Sequence, residues 1–383
     1  MNFDAIRPYD NSEIPAAAAR VAAHPYFEQA ARFLFPESDP EQIRAEFLQV
    51  RSADQFQGGI MLKAFRRILE LTSTSFSSKG IERIDPERRY TFVANHRDIV
   101  LDAVLLQMML KNNGIETAEV TFGSNLMQDK FIADIGKMNK MFRLVRENET
   151  HDLRDFYRNS LEVSSYMRYA LHKKRQSLWI AQRNGRTKDG NDRTESALLK
   201  MLSLGSDKPF VENMAELNIV PVAVSYEYEP CDFLKVQERY LSLGGRYVKE
   251  RKEDLRSIVS GIIRPKGGIS IEIMPPVTVS ELQQCDVFDR KRKFEALARL
   301  IDRRIYRGYR LWKTNYIASD LRNGTEQYRS MYAPADKEAF ERYMDGGLQQ
   351  LQGEQSQLKR LFLDIYANPV NNCYESTARQ HDK

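Results

Sequence analysis

The residues whose types and spacing could do chemistry lie in "TFVANHRDIVLDAVLL", residues 91–106. His96 follows a short apolar run, and two carboxylates follow the histidine: Asp98 close by, and Asp102 after five intervening residues. An imidazole titrates near neutral pH and can take a proton from a hydroxyl. A carboxylate beside it holds the ring in one tautomer and stabilises its protonated form. That pairing suits an alcohol or amine attacking a carbonyl such as a thioester. The plainer alternative is a histidine at the start of a helix whose first turn is acidic.

His96, Arg97 and Asp98 also spell the opening of a protein-kinase catalytic loop. Such a loop needs an asparagine five residues after its aspartate to hold a magnesium ion. Ala103 stands there. The glycines before Asp98 are Gly58, Gly59 and Gly80, which make no phosphate-covering loop, and no Asp-Phe-Gly follows. The kinase reading is set aside.

Three further stretches accompany the first. "MFRLVRE" is strand-like and carries Arg143 and Arg146. "SLWIAQRNGRTKDGND" runs from an apolar strand into Arg183, Gly185, Arg186, Thr187, Lys188 and Gly190. Small residues let the backbone approach a ligand, and guanidinium groups can fork a phosphate. Alone, this stretch reads equally well as a solvated charged loop. "NIVPVAVSYE" is an apolar strand with Pro221 near its start.

Taken in this order, the four stretches resemble the glycerolipid acyltransferase superfamily, in a variant bacterial branch, over about residues 80–280. The family's first block is Asn-His-x4-Asp. Asn95 and His96 match it, with one residue more before Asp102. Asp102 precedes the same apolar helix as the family's aspartate, so the resemblance favours it as the partner of His96 and leaves Asp98 as the other candidate. The arginine of the second block matches Arg146. The third block, Phe-Pro-Glu-Gly-x-Arg-Ser or Val-Glu-Gly-Gly-Arg-Ser, is kept at Gly185, Arg186 and Thr187, but Arg183 stands where the family has its glutamate. The proline of the fourth block matches Pro221.

The resemblance implies transfer of a fatty acyl group from acyl-CoA or acyl-ACP to a hydroxyl of glycerol 3-phosphate or a lysophospholipid, in phospholipid biosynthesis. His96 would be the base. Arg146, Arg183, Gly185, Arg186, Thr187 and Lys188 would surround the acceptor's anionic head. It implies no metal and no cofactor beyond the acyl co-substrate. The altered third block also admits an O- or N-acyltransferase for an amino-acid lipid, or a catalytically inactive lipid-binding homologue.

Elements able to position these residues follow from the rest of the chain. Residues 1–79 read as helices separated by proline turns, 80–280 as an α/β domain, and 281–383 as a helical C-terminal region. Strands alternating with helices predict a central mixed, mainly parallel sheet flanked by helices, with helical N- and C-terminal extensions. In such sheets ligand sites gather where strands end and helices begin. Two segments could also lie at a lipid surface. One is the amphipathic stretch 60–76. The other is 301–317, where Arg303, Arg304, Arg307, Arg310 and Lys313 mix with Tyr306, Tyr309, Trp312 and Tyr316. The alternative is that both pack on the sheet.

Composition is compatible with this reading. Of 383 residues 42% are hydrophobic, and the net charge is +5. That mild excess suits phosphates or an anionic membrane surface. No nucleic-acid recognition motif is present, and no nucleic-acid partner is expected. Cys231, Cys285 and Cys373 are far apart, with neither a CxxC pair nor zinc spacing, as expected of a reducing compartment. No signal peptide is read at the N-terminus. The longest nearly apolar run, "IVLDAVLLQMML", includes Asp102 and is too short to span a bilayer. The expected location is cytoplasmic, peripheral on the inner face of the cytoplasmic membrane.

Overall fold

The computed structural model describes residues 2–145, 152–245, 247, 253–289 and 291–378. The fold is α/β. Seven strands, β1 (Ser73–Lys79), β2 (Thr91–Ala94), β3 (Glu119–Gly123), β4 (Met141–Leu144), β5 (Leu178–Ala181), β6 (Ile219–Tyr226) and β7 (Gly267–Ile273), form one sheet in the order β1-β7-β6-β2-β5-β3-β4. Neighbours run parallel except β6 and β7, which are antiparallel. The sheet is therefore mixed and mainly parallel, as the alternation of strands and helices predicts.

Helices cover both faces, which is why the central strands are apolar without alternation. In β2, Phe92 and Ala94 enter one core, with residues of the helices Leu62–Thr72 and Leu101–Asn112. Val93 enters the other, with residues of Leu153–His172, Ser196–Ser203 and Arg292–Gly308. In β6, Val220, Val222, Val224 and Tyr226 share the first core, and Ile219 and Ala223 the second. A period of two sends successive side chains to opposite faces, and each face meets a hydrophobic layer. Pro221, with no N–H to donate, lies just outside the β6–β7 ladder, which begins at Val222.

The N-terminal helices Ile14–Ala22, Tyr26–Leu34 and Pro40–Leu48 bury a cluster of their own around Phe27, Phe47 and Phe56. They are tied to the sheet domain by Arg20, whose guanidinium meets Asp134 at 2.7 Å, while the Tyr9 hydroxyl donates to the same carboxylate at 2.7 Å.

Two segments differ from their sequence reading. The helix expected over 60–76 ends at Thr72, and Ser73–Lys79 is an edge strand paired with β7. Its Ser- and Thr-rich composition suits a pleated, half-exposed strand better than a helix interior. This strand belongs to the sheet, although it falls inside the helical region 1–79. The C-terminal region, read only as helical, holds a third core: Phe340, Met344, Leu358, Phe362, Ile365 and Tyr366 are buried together. Its apolar residues recur at helical spacing within a charged sequence, so mean polarity hides them.

The aromatic residues of 301–317 also turn inward. Trp312 and Tyr309 are buried, and the Arg310 guanidinium stacks 4.1 Å from the Trp312 ring. Among the described residues no helix is long and apolar enough to cross a membrane.

Gly190 marks where the loop after β5 meets the C-terminal helix Gln355–Ala378. Its φ is +75°, and a Cβ there would come 2.1 Å from the Ile365 carbonyl oxygen. Both the left-handed backbone and the close approach require glycine. Gly190→Ala is expected to lower unfolding free energy by at least ~2 kcal/mol, read as a lower urea midpoint at unchanged m-value.

Candidate active site

The site is built at the carboxyl end of β2. After Ala94 the ladder to β6 is continued by a side chain: the Asn95 amide accepts from the Val224 N–H at 2.7 Å and donates to the Val224 carbonyl at 2.9 Å. The backbone on the near side of His96 is thereby clamped to β6. Beyond Arg97 the chain enters the helix Leu101–Asn112, capped by Asp98, whose Oδ1 accepts from the N–H groups of Val100 and Leu101 at 2.8 Å each.

His96 stands on this strand-to-helix corner with 15% of its side chain exposed. Its Nδ1 lies 3.0 Å from Asp102 Oδ2. Asp102 is fully buried in the first turn of the helix. The same oxygen accepts from the backbone N–H groups of Arg97 at 2.6 Å and Asp98 at 2.9 Å. Its other oxygen accepts from the Tyr226 hydroxyl at 2.8 Å. Burial, and then the Asp102 charge, push the Tyr226 pKa well above the phenol range, so the hydroxyl stays protonated and donates. A carboxylate can only accept, so the contact is made by an Nδ1–H, which in the neutral ring is the tautomer with its lone pair on Nε2. The corner thus wraps around the Asp102 carboxylate. Asp98 is not bonded to His96: its Oδ1 caps the helix, and among the described residues its Oδ2 has no hydrogen-bond partner. Of the two candidate partners for His96, the geometry selects Asp102.

The loop after β5 closes on this corner. The Thr187 N–H donates to the His96 carbonyl at 2.7 Å, and its hydroxyl donates to Asp192 at 2.7 Å. Arg186 is buried; its Nη2 donates to Ser257 at 3.1 Å, while among the described residues Nη1 has no partner. Gly185 takes a φ of +74°. Arg183 is half-buried, with its Nε–H unpartnered. Lys188 is turned to the helix Asp232–Leu243, where it pairs with Glu238. The structure therefore brings Asp102 and Thr187 to the corner of His96, turns Arg186 to Ser257 of the helix Glu253–Ile263, and commits the Lys188 ammonium to a neighbouring acid. Arg146 lies outside the described residues.

Beneath the corner is a buried charge cluster that sequence reasoning did not identify. Arg97 is 1% exposed. It bonds Asp192 at 2.6 Å, Glu229 at 3.1 Å and the Gly190 carbonyl at 3.2 Å, and it lies 5.1 Å from the Tyr309 ring. Lys235 donates to Glu229 at 2.6 Å and to the Arg97 carbonyl at 2.7 Å. Two cations thus face two carboxylates. Burial works against the Arg97 charge, but Asp192 and Glu229 outweigh it and hold its pKa well above the ordinary value. Asp192 also accepts from Asn95 at 3.0 Å. Tyr226 carried one legible signal: it shares the period-two face of Val220, Val222 and Val224 and ends that row with a hydroxyl.

No protein-family model matches the chain, and comparison with curated proteins gives no match. Among solved structures it is similar to the 1-acyl-sn-glycerophosphate (LPA) acyltransferase PlsC from Thermotoga maritima. The overlay covers 78% of this chain and 95% of that one, at 13% identity and a TM-score of 0.38. With a likeness of that size, the functional reading rests on the geometry of the site.

Replacing Arg97 by glutamine leaves Asp192 and Glu229 short of a buried counter-charge. The expected loss is ~3–5 kcal/mol of unfolding free energy in urea titration. Lysine is expected to recover only part of it, because one ammonium cannot reproduce the forked contacts to Asp192, Glu229 and Gly190.

Proposed function

We propose that the protein is an acyltransferase moving a fatty acyl group from a CoA or acyl carrier protein thioester to a hydroxyl of an anionic, glycerolipid-type acceptor such as glycerol 3-phosphate or a lysophospholipid. The observation that carries this reading is the 3.0 Å contact between His96 Nδ1 and a fully buried Asp102 whose two oxygens are held by two backbone N–H groups and a tyrosine hydroxyl. That arrangement leaves Nε2 as an oriented base at the end of a strand, where ligands of open α/β sheets bind.

In this mechanism the acceptor hydroxyl gives its proton to His96 Nε2 as its oxygen attacks the thioester carbonyl. The imidazolium is stabilised by Asp102. The tetrahedral intermediate collapses with cleavage of the C–S bond; the new C–O bond remains, and the imidazolium proton passes to the departing thiolate. Histidine returns to its neutral form and the free thiol departs, so no acyl-enzyme is required. The free N–H groups of Arg186 Nη1 and Arg183 Nε supply donors for the acceptor's anion. The work would be done at an anionic membrane surface facing the cytoplasm, where a lysophospholipid acceptor resides.

Acyl transfer from a radiolabelled acyl thioester to glycerol 3-phosphate or 1-acylglycerol 3-phosphate tests the reading. His96→Ala is expected to lower kcat by ~10²–10⁴ with an unchanged circular dichroism spectrum. Asp102→Asn is expected to lower it by at least ~10², through loss of the productive tautomer. Transfer by His96→Ala within a few-fold of the unaltered protein would rule the mechanism out.

A further inference from the structure

The groups that hold His96 have their hydrogen-bond partners, but under the helix Glu253–Ile263 three side chains each keep an atom that does not. Asp254, Ser257 and Gly261 lie on one face of that helix, at helical spacing. Asp254 accepts from the amide of Asn125 at 2.6 Å, Ser257 accepts from Arg186 at 3.1 Å, and Gly261 sits on the Asp98 carboxylate. Among the described residues, each of these three partners keeps a buried atom without a hydrogen bond: Asn125 Oδ1, Arg186 Nη1 and Asp98 Oδ2. Asp98 is 1% exposed and Arg186 7%. Buried polar groups are normally paired, so opposite charges left unpartnered under one helix point to a ligand.

Gly261 explains how the helix can sit there. A Cβ at that position would come 2.2 Å from Asp98 Oδ2, so only a glycine Cα can face the oxygen. The contact gives the carboxylate no N–H or O–H donor. Lys266 is a cation within electrostatic reach of Asp98, but its ammonium is given to the Thr72 hydroxyl and to the carbonyls of Ile262 and Arg264. Asp98 Oδ1 is already used in capping the helix that carries Asp102. What is left is a free carboxylate oxygen, and a free guanidinium N–H on Arg186. Ser257 and Gly261 are about 6 Å apart along the helix, a spacing that an ammonium and an anion of one small headgroup can bridge.

We propose that Arg186 and Asp98 form a headgroup subsite for a zwitterionic acceptor, with the anion on Arg186 Nη1 and an ammonium on Asp98 Oδ2. When the subsite is filled, the helix Glu253–Ile263 draws back from it, and the ammonium replaces Gly261 over the carboxylate. The outward side of the helix, where Val259 and Ile263 are exposed, carries no part of this contact. This inference rests on the acyl-transfer reading and refines its acceptor.

The test compares lysophosphatidylethanolamine with its N-acetylated form, which keeps the phosphate and the free hydroxyl but loses the ammonium. Glycerol 3-phosphate serves as an anion-only acceptor, all with one radiolabelled acyl thioester. The unaltered protein is expected to prefer the ammonium form by at least about tenfold in kcat/KM, the size of one charge-assisted hydrogen bond. Asp98→Asn keeps an acceptor oxygen for the helix cap and is expected to bring that ratio close to one. Equal use of the two lysolipids by the unaltered protein, or a ratio that survives Asp98→Asn, would overturn the proposal while leaving acyl transfer in place. Failure of all three acceptors would remove the acyl-transfer reading and this inference with it.

Discussion

A guanidinium shut away from water is tolerated only where acceptors and counter-charges replace its hydration, and Arg97 is the residue on which the site depends for this reason. Its partners come from separate parts of the fold. Asp192 and Gly190 follow β5, Glu229 follows β6, and Arg97 itself follows β2. Asp192 also takes the Asn95 amide and the Thr187 hydroxyl. One buried cation therefore fastens the carboxyl ends of three adjacent strands to one another. His96 sits between Asn95 and Arg97, both of which are held, so its backbone has little room to move. The protein thus gains a fixed corner at the expense of a wholly desolvated charge cluster.

The second constraint is Asp102. It receives an imidazole, two backbone N–H groups and a phenol, and it sits in the first turn of a helix, where the macrodipole favours negative charge. The two N–H groups belong to Arg97 and Asp98, the residues that follow the histidine. The backbone between His96 and Asp102 thus closes on the carboxylate and becomes part of its hydrogen-bond shell. Asp98 is released from supporting the histidine and serves as helix cap. The contrast in satisfaction across the site is informative. Groups that orient His96 have their partners, whereas Arg186 Nη1 and Asp98 Oδ2 do not. Support is complete on one side, and binding capacity is held open on the other.

Much of this was legible before the structure. Strand and helix patterns gave the mixed, mainly parallel sheet, because β2, β3, β5 and β6 are short apolar runs bounded by turn residues. The histidine corner was legible because Asn95, His96 and Asp102 lie within eight consecutive residues. The charge cluster was not. Asp192, Glu229 and Lys235 are ordinary charged residues in sequence, and only folding reveals that the chain buries them against Arg97. Arg97 stood in plain view but was read as one letter of an unrelated motif. β1 was missed because "LTSTSF" continues the amphipathic pattern of the helix before it, and the choice between helix and strand there is made by pairing with β7. The C-terminal core was missed because its apolar residues come from four helices whose compositions are polar on average.

The central claim is that Asp102, through Nδ1, fixes the imidazole of His96 with Nε2 free to act as the base. Nuclear magnetic resonance of protein carrying ¹⁵N-labelled histidine, with the signals assigned by loss in a His96 variant, measures this directly. The account predicts that His96 at neutral pH is the Nδ1–H tautomer, with a low-field Nδ1 proton that persists in Asp98→Asn and disappears in Asp102→Asn. A ring protonated at Nε2 in the unaltered protein, or a low-field proton lost with Asp98 and kept without Asp102, would contradict it.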